Sequence, residues 1–160
     1  MENNEERFKV LSETAILVNL NAPPKLLSDD AKIEKNSGGG WVKVEKRENK
    51  LYVDGRKVIL YLSEQQKHGR MSGHELRKEL SGKPVLHPNI LDALLEHPDL
   101  IPEDWKNNNG YIFFWGTIIR SSRDNLCIRY LCFSDDKWSW GYFWLDVDWS
   151  ASDPAALLAS

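Results

Sequence analysis

Apolar and polar residues alternate through much of this chain with the period of two that puts successive side chains on opposite faces of a strand. WVKVEKR (41–47) sets Trp41, Val42 and Val44 among charges, and KLYVDGRKVILYL (50–62) gives two β-rich runs around Asp54-Gly55. Asp-Gly between such runs predicts a two-residue hairpin, because both central positions need positive φ. Residues 41–62 are therefore expected as a three-stranded meander, or a hairpin plus one strand. Three further runs, YIFFWGTII, NLCIRYLCF and KWSWGYFWLDVDW, are joined by SSRD and SDD. Connections this short predict a second antiparallel meander of three strands.

Between these regions the period changes. Ser72-x-x-Glu75 has the pattern of a capping box, Leu76 and Leu80 share one helical face, and Gly82 is placed to stop the helix. Pro88 suits a first helical position. Ile90, Leu91, Leu94 and Leu95 then form an apolar stripe with Asp92 and Glu96 opposite. The pattern predicts a central pair of helices, packed as a hairpin on a sheet. Asp153-Pro154 is expected to open one helical turn through PAALLA. Strands, then helices, then strands argue for an α+β domain of antiparallel strands rather than parallel βαβ units.

Residues 1–40 are read as a partly flexible N-terminal arm. Arg7 to Leu20 has apolar positions for one or two strands, Pro23-Pro24 stops them, and SDDAKIEKNSGGG reads as a connector. Residues 41–160 form the single compact domain. With 160 residues, 41% of them hydrophobic, the chain can build a core without disulfides, and disordered, coiled-coil and collagen-like classes are excluded. Cys127 and Cys132 fall in one predicted strand, about 16 Å apart on opposite faces, too far to be bridged there. Reduced thiols fit a cytoplasmic setting. The acidic start MENNEERFK is not a secretory signal, and the longest run without charge, Asn107 to Ile119, is too short and too polar to span a bilayer.

The net charge of −3 is unevenly spread: −2 over residues 1–40, +5 over 41–87 and −6 over 88–160. The middle third can present a positive surface and the aromatic-rich last third a negative one.

From LYVDGRKVILYLS through HELRKELSGKPVL, LDALL, LIPEDWK and FFWGTI to the tryptophan-rich end, residues 51–158, the chain resembles a group of small uncharacterised bacterial proteins. That resemblance transfers no activity, cofactor or site residue.

The most unusual run is Trp138 to Trp149. Read as one strand, it puts Trp138, Trp140, Tyr142, Trp144, Asp146 and Asp148 on one face, and Gly141, Phe143, Leu145, Val147 and Trp149 on the other. The second set suits a core. The first is an aromatic ladder ending in two carboxylates, suited to a protein partner, a cationic group or a stacked sugar, or to self-association. The bland alternative is that both faces are covered.

Other chemistry is weaker. Asp146 and Asp148 have the spacing to share a cation, but so short a motif is common, and His87 and His97 lie too far apart on the second helix for one ion. His68 and His74 lack a nearby cysteine to complete a zinc set. No G-x-S-x-G and no phosphate-cradling loop is present. No catalytic residue, metal or cofactor is assigned. A hydrolase pairing Glu103 or Asp104 with Asp146 is kept as an alternative. So is nucleic-acid binding through Arg56, Lys57, Arg70, Arg77 and Lys78, although Asp92 and Glu96 give the second helix the wrong sign for a recognition helix. The reading is a non-enzymatic interaction module that uses the aromatic-acidic surface of the C-terminal strands.

Overall fold

Tight turns set the strand registers. The computed structural model describes residues 6–107 and 111–160, so the first five residues of the acidic start, and positions 108–110 of the run without charge, lie outside the described residues. Strands β4 (Trp41–Arg47), β5 (Lys50–Val53) and β6 (Arg56–Tyr61) pair antiparallel in sequence. Asp54 and Gly55 take φ of 50° and 83° between β5 and β6, and Glu48-Asn49 make a similar left-handed turn one strand earlier. The segment read as an arm contributes β1 (Phe8–Ser12), β2 (Ala15–Asn19) and β3 (Lys32–Asn36). β2 is largely buried and pairs with β4 across the boundary placed at Trp41, where Asn19 faces Trp41.

After β6, Ser63 and Gln66 form a reciprocal capping box on α1 (Glu64–His68). A short strand β7 (Met71–Ser72) leads into α2 (Gly73–Leu80), where the Ser72 side chain accepts from the Glu75 N–H, and α3 (Pro88–Glu96) follows. Two 3-10 turns, at Pro98–Leu100 and Glu103–Asn107, precede β8 (Ile112–Phe113) and β9 (Thr117–Arg120). The chain ends with β10 (Leu126–Ser134), β11 (Lys137–Trp144), β12 (Asp148–Trp149) and β13 (Ala155–Leu158). The sheet runs β1-β2-β4-β5-β6-β13-β8-β10, and β10 also carries β11 and β9, the latter continued by β3. The architecture is α+β and mostly antiparallel, with β13 beside β8 the parallel pair.

Four expectations are corrected. PAALLA is the strand β13 and not a helical turn: four residues fill the place between β6 and β8, and the ladder bonds there outweigh the high intrinsic helix propensity of Ala and Leu. YIFFWGTII is two short strands that both pair with β10. The run 138–149 breaks after Trp144, because Leu145 is drawn into the core and its carbonyl accepts the Gly73 N–H at 2.8 Å. Finally, α2 and α3 do not form a hairpin on one face. Leu76 and Leu80 of α2 pack with Phe113 and Ile128, whereas Ile90, Leu91 and Leu94 of α3 pack with Ile112 and Leu131. Those sheet residues have opposite parity, so the helices cover opposite faces.

The linker 81–87 makes this possible by passing through the sheet. Val85 bridges Leu157 of β13, Leu86 N–H donates to the Ala156 carbonyl, and the Leu86 carbonyl accepts the Gly116 N–H at 2.8 Å. A Cβ on Gly116 would lie 2.6 Å from the His87 Cα, so only glycine lets the linker through at this point. Beyond the crossing, α3 is buried from Pro88 to Leu94, and residues of β2, β4, β5 and β6 close around it from the side away from β10. Its polar side chains pin both halves of the sheet. The Asn89 amide donates to the carbonyls of Asn19 and Ala22, and Asp92 pairs with Arg129 of β10.

Candidate functional site: an open aromatic edge and a basic cleft

Strand β11 pairs with β10 through eight consecutive positions, Cys127↔Trp144 to Ser134↔Lys137. Among the described residues nothing pairs with its other side. Trp138, Trp140, Tyr142 and Trp144 do share one face, opposite Phe133, Leu131, Arg129 and Cys127. Trp138 packs on Phe133 and the core around α3, and Trp144 packs near Leu26 and Leu27. Trp140 and Tyr142, 38% and 41% exposed, are the open part of the ladder. Below Trp140 the Arg129 guanidinium lies 4.1 Å from the ring centroid. The inner ring face is thus already occupied by a cation, which leaves the outer face better suited to an apolar group.

The two carboxylates are not part of this face. The turn after Trp144 carries Asp146 to α2, where its Oδ1 lies 2.7 Å from His74 Nε2 on the opposite side of the sheet from Arg129. Asp148 sits in β12 against Ser72 of β7 and is exposed. Glu103 pairs with Lys106 rather than with Asp146. Among the described residues no group of three His, Cys, Asp or Glu side chains gathers to hold a metal ion, and no helix is long and apolar enough to cross a membrane.

The basic residues of the middle third divide. Arg77 and Lys78 border a cleft of about 540 Å³ together with Lys35, Lys83, His74 and Trp115. Arg56 borders an adjoining chamber of about 350 Å³, where its guanidinium also donates to the Ala159 carbonyl. Lys57 lies by a separate recess next to Trp105, and Arg70 follows α1. Lys35 and Trp115 escaped the sequence reading. Lys35 lies in what looked like a connector, and Trp115 in what looked like one continuous strand. Ser37, Lys83 and Val85 border both spaces, which meet along the crossing linker.

Two buried N–H groups near the linker have no acceptor among the described residues. One is Trp115 Nε1; the other is His87 Nε2. His87 caps α3, its Nδ1 accepting the Asn89 N–H at 3.0 Å, so that nitrogen is unprotonated and the neutral ring carries its proton on Nε2. Burial, with Arg7 nearby, pushes its pKa down to about 4 against a weaker upward pull from Asp92, so the ring is neutral at pH 7. Cys127, on β10, is pushed up to about 12 by burial, only partly offset by Arg129. Comparison of the chain with protein-family models, curated proteins and solved structures finds no match.

Proposed function

We propose that this protein is an interaction module that takes an extended segment of a partner protein onto the open edge of β11. The observation that carries the reading is that β11, an eight-residue strand with Trp140 and Tyr142 exposed, is bonded on one side only among the described residues. Edge strands are ordinarily blunted by proline, bulges or several charges. β11 has no proline, no break in its register with β10 and a single charge, Lys137. Backbone groups along such an edge supply affinity for an added strand, and alternate side chains supply selectivity.

Charge at the two ends selects the partner. Asp135 and Asp136 form the turn before β11, and Asp146 and Asp148 follow it. Two copies of β11 paired antiparallel would bring acid against acid, so a foreign segment, basic at its ends and apolar in the middle, fits better than a second copy. The test is titration with a peptide of alternating Val and Thr between Arg-Lys ends, beside the same peptide with a central proline, read by calorimetry. The proline peptide and the Trp140→Ser variant are each expected to bind at least about tenfold more weakly, which is the loss of roughly one good contact. Absence of saturable binding, equal binding of the proline peptide, or a dimer that already buries β11 overturns the proposal.

A further inference from the structure

The basic cleft beside the linker presents a surplus of unmatched charge. Lys35, Arg77, Lys78 and Lys83 all border it, and none forms an ion pair among the described residues. Asp146 is held by His74 at the rim, Asp54 lines the adjoining chamber, and the Lys83 ammonium lies 5.2 Å from the ring centroid of Tyr61, whose hydroxyl donates to Glu79. The C-terminal end of α2 also faces this space and contributes roughly half a negative charge, far less than four cations. Four like charges around one concavity repel one another unless an anion sits among them.

A second, independent observation points the same way. Trp115 is 4% exposed, borders the cleft, and its indole N–H has no acceptor. The neutral ring of His87, 3% exposed, borders the adjoining chamber and adds no charge to it. Buried donors are almost always satisfied in folded proteins, so the Trp115 indole N–H, which lies beside the basic residues, points to an acceptor supplied there; Arg129 Nε, also unmatched, borders neither space. The adjoining chamber is mostly apolar, walled by Leu20, Val42, Val53 and Ile90, with Asp54, Arg56 and Lys83 also on its lining. Both spaces have the size of small-molecule sites.

We infer that the two spaces form one binding site for a small amphipathic anion, a phosphate monoester with an apolar body. Its phosphate lies among Lys35, Arg77, Lys78 and Lys83, and its body enters the chamber beside His87. A doubly charged phosphate matches the cations better than a single carboxylate does. Nucleic acid fits less well, because Lys57 borders a separate recess, Arg70 is not on the cleft, and the cleft continues into a mostly apolar chamber.

The probes are hexyl phosphate, inorganic phosphate, hexanol and a 12-nucleotide single strand, each titrated into ¹⁵N-labelled full-length protein. The indole N–H signal of Trp115, assigned with Trp115→Phe, is the local readout. Hexyl phosphate is expected to saturate with a Kd at least about tenfold below that of inorganic phosphate or hexanol and to move the Trp115 signal downfield. Lys83→Gln and Arg77→Gln should each weaken it about tenfold, the loss of one charge-assisted bond, while Arg70→Gln leaves it unchanged. No saturable shift at millimolar hexyl phosphate, or equal binding by the Lys83 and Arg77 variants, overturns the inference. Tighter binding of the oligonucleotide, lost in the same two variants, replaces it with a nucleic-acid contact.

Discussion

Arg129 of β10 and Asp92 of α3 meet through two parallel hydrogen bonds, of 3.1 and 2.8 Å, between side chains that are 0% and 3% exposed. Thirty-seven residues of chain separate them. Arg7 adds a third bond to Asp92 at 3.3 Å, which ties the start of the described chain to the same carboxylate.

Removing one partner weakens the hold on the other. Arg129→Met leaves Asp92 with the Arg7 contact alone and is expected to destabilise the fold by about 3 kcal/mol, the lower end for breaking a buried pair. The double variant Arg129→Met/Asp92→Leu should recover much of the loss, because replacing both charges removes the desolvation penalty too. Urea unfolding of the wild type, of Arg129→Met, of Asp92→Leu and of the double variant measures the coupling. Because the guanidinium supports the Trp140 ring, Arg129→Met should also shift tryptophan emission.

His87 makes stability depend on pH. Its folded pKa lies near 4, below the ordinary value of 6.5, so the native state resists a proton that the unfolded chain accepts. Stability is therefore full above pH 6.5 and falls as the pH drops from 6.5 to about 4, by on the order of 3 kcal/mol. His87→Asn keeps an N-cap acceptor and removes the titration. Its stability curve should be flat through that window apart from contributions of carboxylates. An unchanged slope in the variant would show that the imidazole is not its source.

Gly116→Ala introduces a methyl where backbone, not a flexible side chain, is the neighbour: Leu86 O lies 2.7 Å and His87 N 2.8 Å from the new Cβ position. A loss of about 3 kcal/mol or more is expected, at or above the upper end for overpacking. Thermal unfolding of the variant would expose a tolerant linker if the midpoint barely moves.

The thiols should differ sharply in reactivity. Cys127 is buried with its thiol pushed up to about 12, while Cys132 is only half-buried and contacts Ser139. Alkylation of the native protein at pH 8 is expected at Cys132 alone, with Cys127 labelled only after denaturation. Mass spectrometry of the tryptic peptides distinguishes them.

Features governed by two or three neighbouring residues could be read from the sequence. The left-handed turn at Asp54-Gly55, the Ser72 cap and the shared face of Trp138, Trp140, Tyr142 and Trp144 are of this kind, since backbone geometry alone decides them. The Ser63-x-x-Gln66 box carried the same kind of signal and was passed over. Features decided at a distance were not legible. WLDVDW alternates equally well as a straight strand or a turn, and only the approach of Gly73 to Leu145 selects the turn. Asp92 looked like a solvent-facing residue, and only the packing of β10 against α3 brings Arg129 to it. The cleft unites Lys35 with Arg77 and Lys83 through tertiary packing, which no local pattern encodes.

The threaded linker also fixes an order of events. Its passage is walled by Gly116, some 30 positions later in the chain, and by Leu157, more than 70 positions after Val85. Such distant closures make folding slow, since loop entropy must be overcome before the contacts form. During synthesis the passage around the linker cannot close until β13 leaves the ribosome, because Leu157 and Ala156 form one wall of it. A nascent chain stalled before Ala155 should accordingly remain sensitive to protease around the linker, although all but its last strand has been made.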